Sequence, residues 1–134
     1  MQKKYRLKSG RVFNYLHKRG SSVANKRLVL VYAPSKYPLK VGFIVSKKVG
    51  KATVRNKVRR RLREVFRALI PFIDQNTNYV VIARAECASS TFAEIANALL
   101  IAFNKADTLI QPIDETTRER LCLKQQYLRV DKRS

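Results

Sequence analysis

Apolar positions along the chain come in short bursts, separated by polar and mostly basic connections. Residues 1–8 read as a basic arm. Val12, Phe13 and Leu16 then fall on one helical stripe; Ser9 can cap this helix and Gly20 can stop it after Arg19. Leu28 to Ala33 is an unbroken apolar run closed by Pro34, the pattern of a buried strand. Val41 to Val45 predicts a second strand. After a polar loop around Gly50 the period changes to that of a helix, from about Thr53 to Leu69, ended near Pro71. Asn76 to Asn78 reads as a turn and Tyr79 to Ala83 as a third strand. Ser89 or Ser90 can cap a last helix with Phe92, Ile95, Leu99 and Phe103 on one buried face. Strands and helices alternating over 134 residues predict one small sheet, in an α/β or α+β fold.

Residues 106–134 break this rhythm. They are charged, with scattered Leu121, Leu123, Tyr127 and Leu128. The expected division is a domain over 1–105 and a C-terminal extension over 106–134. Two readings of the extension stand side by side: a helix starting near Asp114, or a mobile tail.

Charge adds what periodicity cannot. Lys and Arg number 29 against 9 Asp and Glu, a formal net charge of +20. Hydrophobic content of 46% is that of a folded chain. The run Leu28–Ala33 is far short of the roughly 20 apolar residues a bilayer span needs. The basic N-terminus is followed by no apolar segment of a signal peptide. Cys87 and Cys122 form no close pair, so neither a disulfide framework nor a zinc knuckle is signalled. The expectation is a cytoplasmic protein with free thiols, no membrane partner and no obligate protein partner. Its cations are spread along the chain, which calls for an anionic partner, and nucleic acid is the leading candidate.

The cations concentrate on one helix and the loop before it. Lys47, Lys48, Lys51, Arg55, Lys57, Arg59, Arg60, Arg61, Arg63 and Arg67 surround a single acid, Glu64. At about 100° per residue, Val54, Val58, Leu62, Val65, Phe66 and Leu69 share one face. Asn56, Arg59, Arg60, Arg63 and Arg67 share the opposite one. Arg55 lies at the edge of the apolar face, and Lys57 and Arg61 flank its other side. Arg59, Arg60 and Arg61 in succession repel one another, and cations early in a helix oppose its dipole. A polyanion relieves both costs, and guanidinium forks suit phosphate. No helix-turn-helix partner, zinc ligands or heptads accompany the helix, which favours RNA over a DNA groove.

Here the residues resemble a known family. The segment from Val41 to Arg67, with Ser46-Lys47-Lys48, Gly50, Ala52, Arg55-Asn56, Arg59-Arg60 and Arg63-Glu64 at fixed spacing, resembles the protein subunit of bacterial ribonuclease P. The likeness extends to Phe13 and Gly20, to Ser22-Val23-Ala24-Asn25, and to Asn78 through Arg84 with the last helix, roughly residues 5–105. It implies a two-layer sandwich: a small central sheet flanked by helices, with a left-handed βαβ crossover around the basic helix. General rules favour a right-handed one. It implies removal of the 5′ leader from precursor tRNA, together with a catalytic RNA.

Under that resemblance, Lys47, Lys48, Lys51, Arg55, Asn56, Lys57, Arg59, Arg60, Arg63 and Arg67 contact the catalytic RNA. Phe13, His17, Asn25 and Tyr32 are the expected leader contacts, in a cleft between the first helix and the sheet. His17 stands where the family has a second Phe. In the first strand the family often has an aromatic where this chain has Val31, with Tyr32 next to it, and one residue along a strand reverses the face. Phe13 can equally be a core residue beneath the first helix.

The acids are scattered, with no motif-like carboxylate pair and a single histidine, which argues against a self-sufficient nuclease. The resemblance implies that the RNA and the Mg²⁺ it holds cut the phosphodiester, with no metal assigned to the protein. A ribosomal-type structural RNA-binding protein and an independent metal-dependent nuclease are the competing readings.

Overall fold

A computed structural model of the chain describes residues 5–7, 16 and 18–124. Four strands form one mixed sheet in the order β1-β2-β4-β3: β1 Ser21–Ala24, β2 Leu28–Pro34, β3 Lys40–Ile44 and β4 Thr77–Ala83. β2 runs antiparallel to β1 and β4, while β3 runs parallel to β4. The parallel pair is joined through the basic helix α1 (Ala52–Leu69). Two further helices follow, α2 (Phe92–Lys105) and α3 (Glu115–Arg120). The α+β class expected from the alternation is the one found.

Side-chain alternation divides the sheet into two unlike faces. Leu28 and Leu30 of β2, Val41 of β3, and Tyr79 and Val81 of β4 point toward α1 and α2 in the main core. At its centre Phe66 of α1 meets Phe43, Tyr79 and Phe103 edge-to-face, with ring centroids 5.5–5.8 Å apart. Burial pushes the Tyr79 phenol well above its ordinary pKa; its hydroxyl donates to the Asp74 carbonyl at 3.2 Å. On the other face Val31, Ala33 and Val80 form a smaller cluster with Leu7 and Leu16, and half-buried Val29 and Ile82 lie against it.

Leu16, Lys18 and Arg19 are helical, and the Gly20 amide donates to the Leu16 carbonyl at 2.9 Å. A Cβ on Gly20 would stand 2.5 Å from that carbonyl oxygen and 3.0 Å from that of Tyr32, so only glycine lets the chain turn this close to β2. The expected start of this helix, and Phe13 and His17 on it, lie outside the described residues.

Several boundaries move. The apolar pattern does not signal β1, because Ser21-Ser22-Val23-Ala24 carries only one sizeable apolar side chain, Val23; pairing with β2 recruits it as an edge strand. β4 begins at Thr77, inside the expected turn. The cap of α2 is Thr91 rather than Ser89 or Ser90. Its hydroxyl accepts from the Glu94 amide at 3.1 Å, and the Glu94 carboxylate accepts from the Thr91 amide at 2.8 Å. Ser90 is instead engaged with Arg27 and the Glu86 carbonyl.

Beyond residue 105 the chain continues in the same core through Leu123. Ala106, Leu109, Ile113, Leu121 and Leu123 are all buried there. The Ile110 amide donates to the Phe72 carbonyl at 2.9 Å. The helix expected near Asp114 is present, with Asp114 accepting from the Thr117 amide at 2.8 Å. Asn97 of α2 fastens the segment that follows: its amide nitrogen donates to the Cys122 carbonyl and its oxygen accepts from the Lys124 amide, both at 3.0 Å.

Candidate nucleic-acid interface

α1 forms where the apolar spacing places it. It buries Val58, Leu62, Val65, Phe66 and Leu69. Its first turn carries no acid, and Lys51 at its N-cap supplies no side-chain cap. The positive end of the helix dipole therefore stands beside exposed Lys47, Lys48 and Lys51. The loop leading into it turns at Gly50, whose φ of 152° favours glycine. Arg55 braces that loop by donating from Nε to the Gly50 carbonyl at 3.2 Å.

Along the outer face Asn56, Lys57, Arg60 and Arg67 are exposed, and Arg59 and Arg63 are half-buried. Asn56 accepts from Arg59 Nη1 at 3.0 Å, which fixes one guanidinium on the stripe. Arg60, Arg63, Glu64 and Arg67 line a shallow cavity of about 370 Å³. Arg61 is turned away: its Nη1 donates to the Ser90 carbonyl at 3.0 Å. Among the described residues no carboxylate lies within ion-pair distance of the stripe; Arg27 and Glu94 pair at 3.0 Å away from it, near the β1–β2 turn. Burial, with the Arg59 and Arg6 guanidiniums nearby, lowers the pKa of Arg63 from the ordinary arginine value, yet arginine keeps its charge at neutral pH. Arg6 is the residue the pattern missed. It reaches the stripe through a parallel bridge to Val41 of β3, a long-range contact with no local signal.

Of the expected leader contacts, Tyr32 and Asn25 lie among the described residues and Phe13 and His17 do not. Leu16 places the first helix over the Val31, Ala33 and Val80 face, so a cleft there is lined by that face. Tyr32 packs against the main core on the other side, opposite Tyr79 in register. Its assignment to the cleft is corrected by strand parity: Val31 holds the cleft side. Asn25 is engaged within the protein. Its Nδ2 donates to the Ala98 carbonyl at 3.0 Å, and its Oδ1 accepts from the amides of Arg27 and Leu28 at 3.0 and 3.1 Å. Asn25 thus closes the β1–β2 turn and ties it to α2. Half-buried Ile82 and exposed Ile44, at 39% exposure, share the sheet's cleft face instead.

The sequence model of the family described as Ribonuclease P matches residues 1–107. A Geobacillus protein, "Ribonuclease P protein component", is 38% identical over 115 residues, covering 84% of this chain and 99% of its own. The chain belongs to the ribonuclease P protein family. Solved ribonuclease P proteins carry the same fold. That of Staphylococcus aureus superposes with a TM-score of 0.73 at 34% identity, covering 78% of this chain and 97% of that one. A variant of the Staphylococcus aureus protein, described as defective in mRNA degradation activity, gives 0.75 at 34% identity, over 80% and 92% of the two chains. Ribonuclease P protein components are subunits of the ribonucleoprotein endonuclease that matures tRNA 5′ ends, and the family implies an RNA partner for this chain. No helix among the described residues is long and apolar enough to cross a membrane.

Proposed function

We propose that this chain binds the catalytic RNA of ribonuclease P through α1 and its preceding lysine loop, and holds the 5′ leader of precursor tRNA against the open face of the sheet. The observation that carries the reading is the outer face of α1. Asn56, Lys57, Arg59, Arg60, Arg63 and Arg67 stand there on a rigid helix, with no carboxylate in ion-pair contact among the described residues. With Glu64 as the single acid among these cations, the face keeps a net positive charge and suits a phosphate backbone, whose condensed ions it displaces.

The chemistry belongs to the RNA and to the Mg²⁺ that the RNA holds. Among the described residues no three His, Cys, Asp or Glu side chains cluster as metal ligands. The protein's contribution is charge screening and positioning: it brings the leader and the catalytic RNA into one geometry. A ribosomal-type RNA-binding protein shares the charge but not the match over residues 1–107.

The test is reconstitution with a bacterial ribonuclease P RNA. At low Mg²⁺, where the RNA alone is slow, adding the protein restores cleavage at the mature tRNA 5′ end. The protein alone leaves precursor tRNA uncut; cleavage at that end by RNase-free protein overturns the reading. An mRNA substrate in the same protein-alone arm reads out whether this chain shares the activity ascribed to the Staphylococcus aureus protein.

A further inference from the structure

A second group of cations lies at the opposite edge of the sheet. α2 packs on β1 and β2, whereas α1 packs on β3. The sheet order sets the β1 edge three strand spacings from β3, roughly 14 Å at about 4.8 Å per strand. At the β1–β2 turn, Lys105 Nζ donates to the Ala24 carbonyl at 3.4 Å and Arg84 Nη1 donates to the Asn25 carbonyl at 3.1 Å. One cation comes from the end of α2 and the other from the end of β4, and they meet over consecutive carbonyls beside Lys26. Lys26 also lines a cavity of about 590 Å³ together with Lys124, the far end of the segment fastened by Asn97. Lys26, Arg84, Lys105 and Lys124 are all exposed. The nearby acid Glu94 is already paired with Arg27; Asp107 follows Lys105 in the turn after α2.

Part of this edge lies outside the family match, which ends at residue 107. The Geobacillus relative is covered over 99% of its length while 84% of this chain is used. The extension that delivers Lys124 is thus an addition to the shared domain.

We propose that the β1 edge, with Lys26, Arg84, Lys105 and Lys124, is a second contact with the backbone of the catalytic RNA, so that the protein is held by RNA at two opposite edges. The proposal rests on the reading of the chain as the subunit that binds that RNA. Charge complementarity selects the occupant: four exposed cations from the β1–β2 turn, β4, α2 and the extension converge where carboxylates are few. Arg84 and Lys105 hold backbone carbonyls with one or two of their several N–H groups and keep others for phosphate.

The experiment measures binding of the full chain to a bacterial ribonuclease P RNA as a function of salt. The pair Lys26→Gln with Lys124→Gln removes two charges that hold no backbone carbonyl among the described residues. It is expected to lower the slope of log K against log salt by about 1.4–1.8 units, at 0.7–0.9 per phosphate contact. Adding Arg84→Gln and Lys105→Gln is expected to roughly double that loss, with melting curves reporting whether the turn survives. Arg60→Ala with Arg63→Ala, measured alongside, separates the two edges. Wild-type slope in the Lys26/Lys124 pair, with a lowered slope in the Arg60/Arg63 pair, overturns the second contact and keeps the first. The reverse pattern keeps the second contact and overturns the α1 reading. A loss seen with an unrelated RNA duplex but absent with the catalytic RNA also overturns the proposal.

Discussion

The two faces of the sheet are built to different standards. The face under α1 and α2 is closed: Phe66, Tyr79 and Phe103 are fully buried and packed ring to ring. The opposite face has a smaller cluster around Leu16 and leaves Ile44, Ile82 and Val29 partly open. Apolar atoms in a closed layer contribute to folding free energy, whereas atoms left half-exposed retain contact area for a ligand. The difference teaches where stability and recognition reside: one face makes the domain rigid, and the other uses that rigidity as a floor.

The largest effect belongs to the closed face. Phe66→Ala is expected to cost about 3–5 kcal/mol of stability in urea denaturation, enough to leave a small domain partly unfolded. A loss under 1 kcal/mol would mean that the ring cluster is not the keystone of that layer.

The open face predicts a loss in binding instead. Phe13 lies outside the described residues, and the resemblance gives it a leader-stacking role. Phe13→Ala should weaken precursor tRNA binding in the reconstituted particle by about 1–3 kcal/mol and leave mature tRNA binding unchanged. A lowered melting temperature with equal losses for both tRNAs would place the ring in the core and shrink the contrast between the faces.

Above the closed layer, the outer surface of α1 should be separable from its buried one. Arg60→Ala with Arg63→Ala is expected to reduce the salt slope for catalytic-RNA binding by about 1.4–1.8 units, at the same melting temperature. A fall in stability would show that the stripe also props the core.

The smallest effect concerns the α2 cap. The Thr91 amide, and then the Arg27 guanidinium, hold the Glu94 carboxyl below its ordinary value of 4.5. A depressed carboxyl pKa contributes stability above the unfolded value and loses it as pH falls through the folded one. Glu94→Gln should therefore flatten the stability profile below pH 4.5, read by melting between pH 3 and 7.

What the sequence made legible follows the range of the forces involved. The stripe of α1, from Val58 to Leu69, and the strand around Tyr79 to Ala83 are local patterns, and the chain forms them nearly where periodicity puts them. β1 was hidden because its polar residues become a strand only by pairing with β2. The face taken by Tyr32 and the engagement of Asn25 were not legible, because residue type does not tell which face a strand position takes, nor that an amide donates to Ala98, 73 residues away. Of the candidate stripe, the helix face was readable from spacing. The inward turn of Arg61 toward Ser90 was not, because its partner is 29 residues distant.

The strand order also governs how the chain can be made. β2 is the most apolar strand, and its inner neighbour β4 is synthesised much later: Leu30 pairs with Val81, fifty-one positions on. At translation speeds of about 5–20 residues per second, β2 waits roughly 3–10 s with an unpaired edge as it leaves the ribosome. During that interval β1, short and polar, shields one side of it.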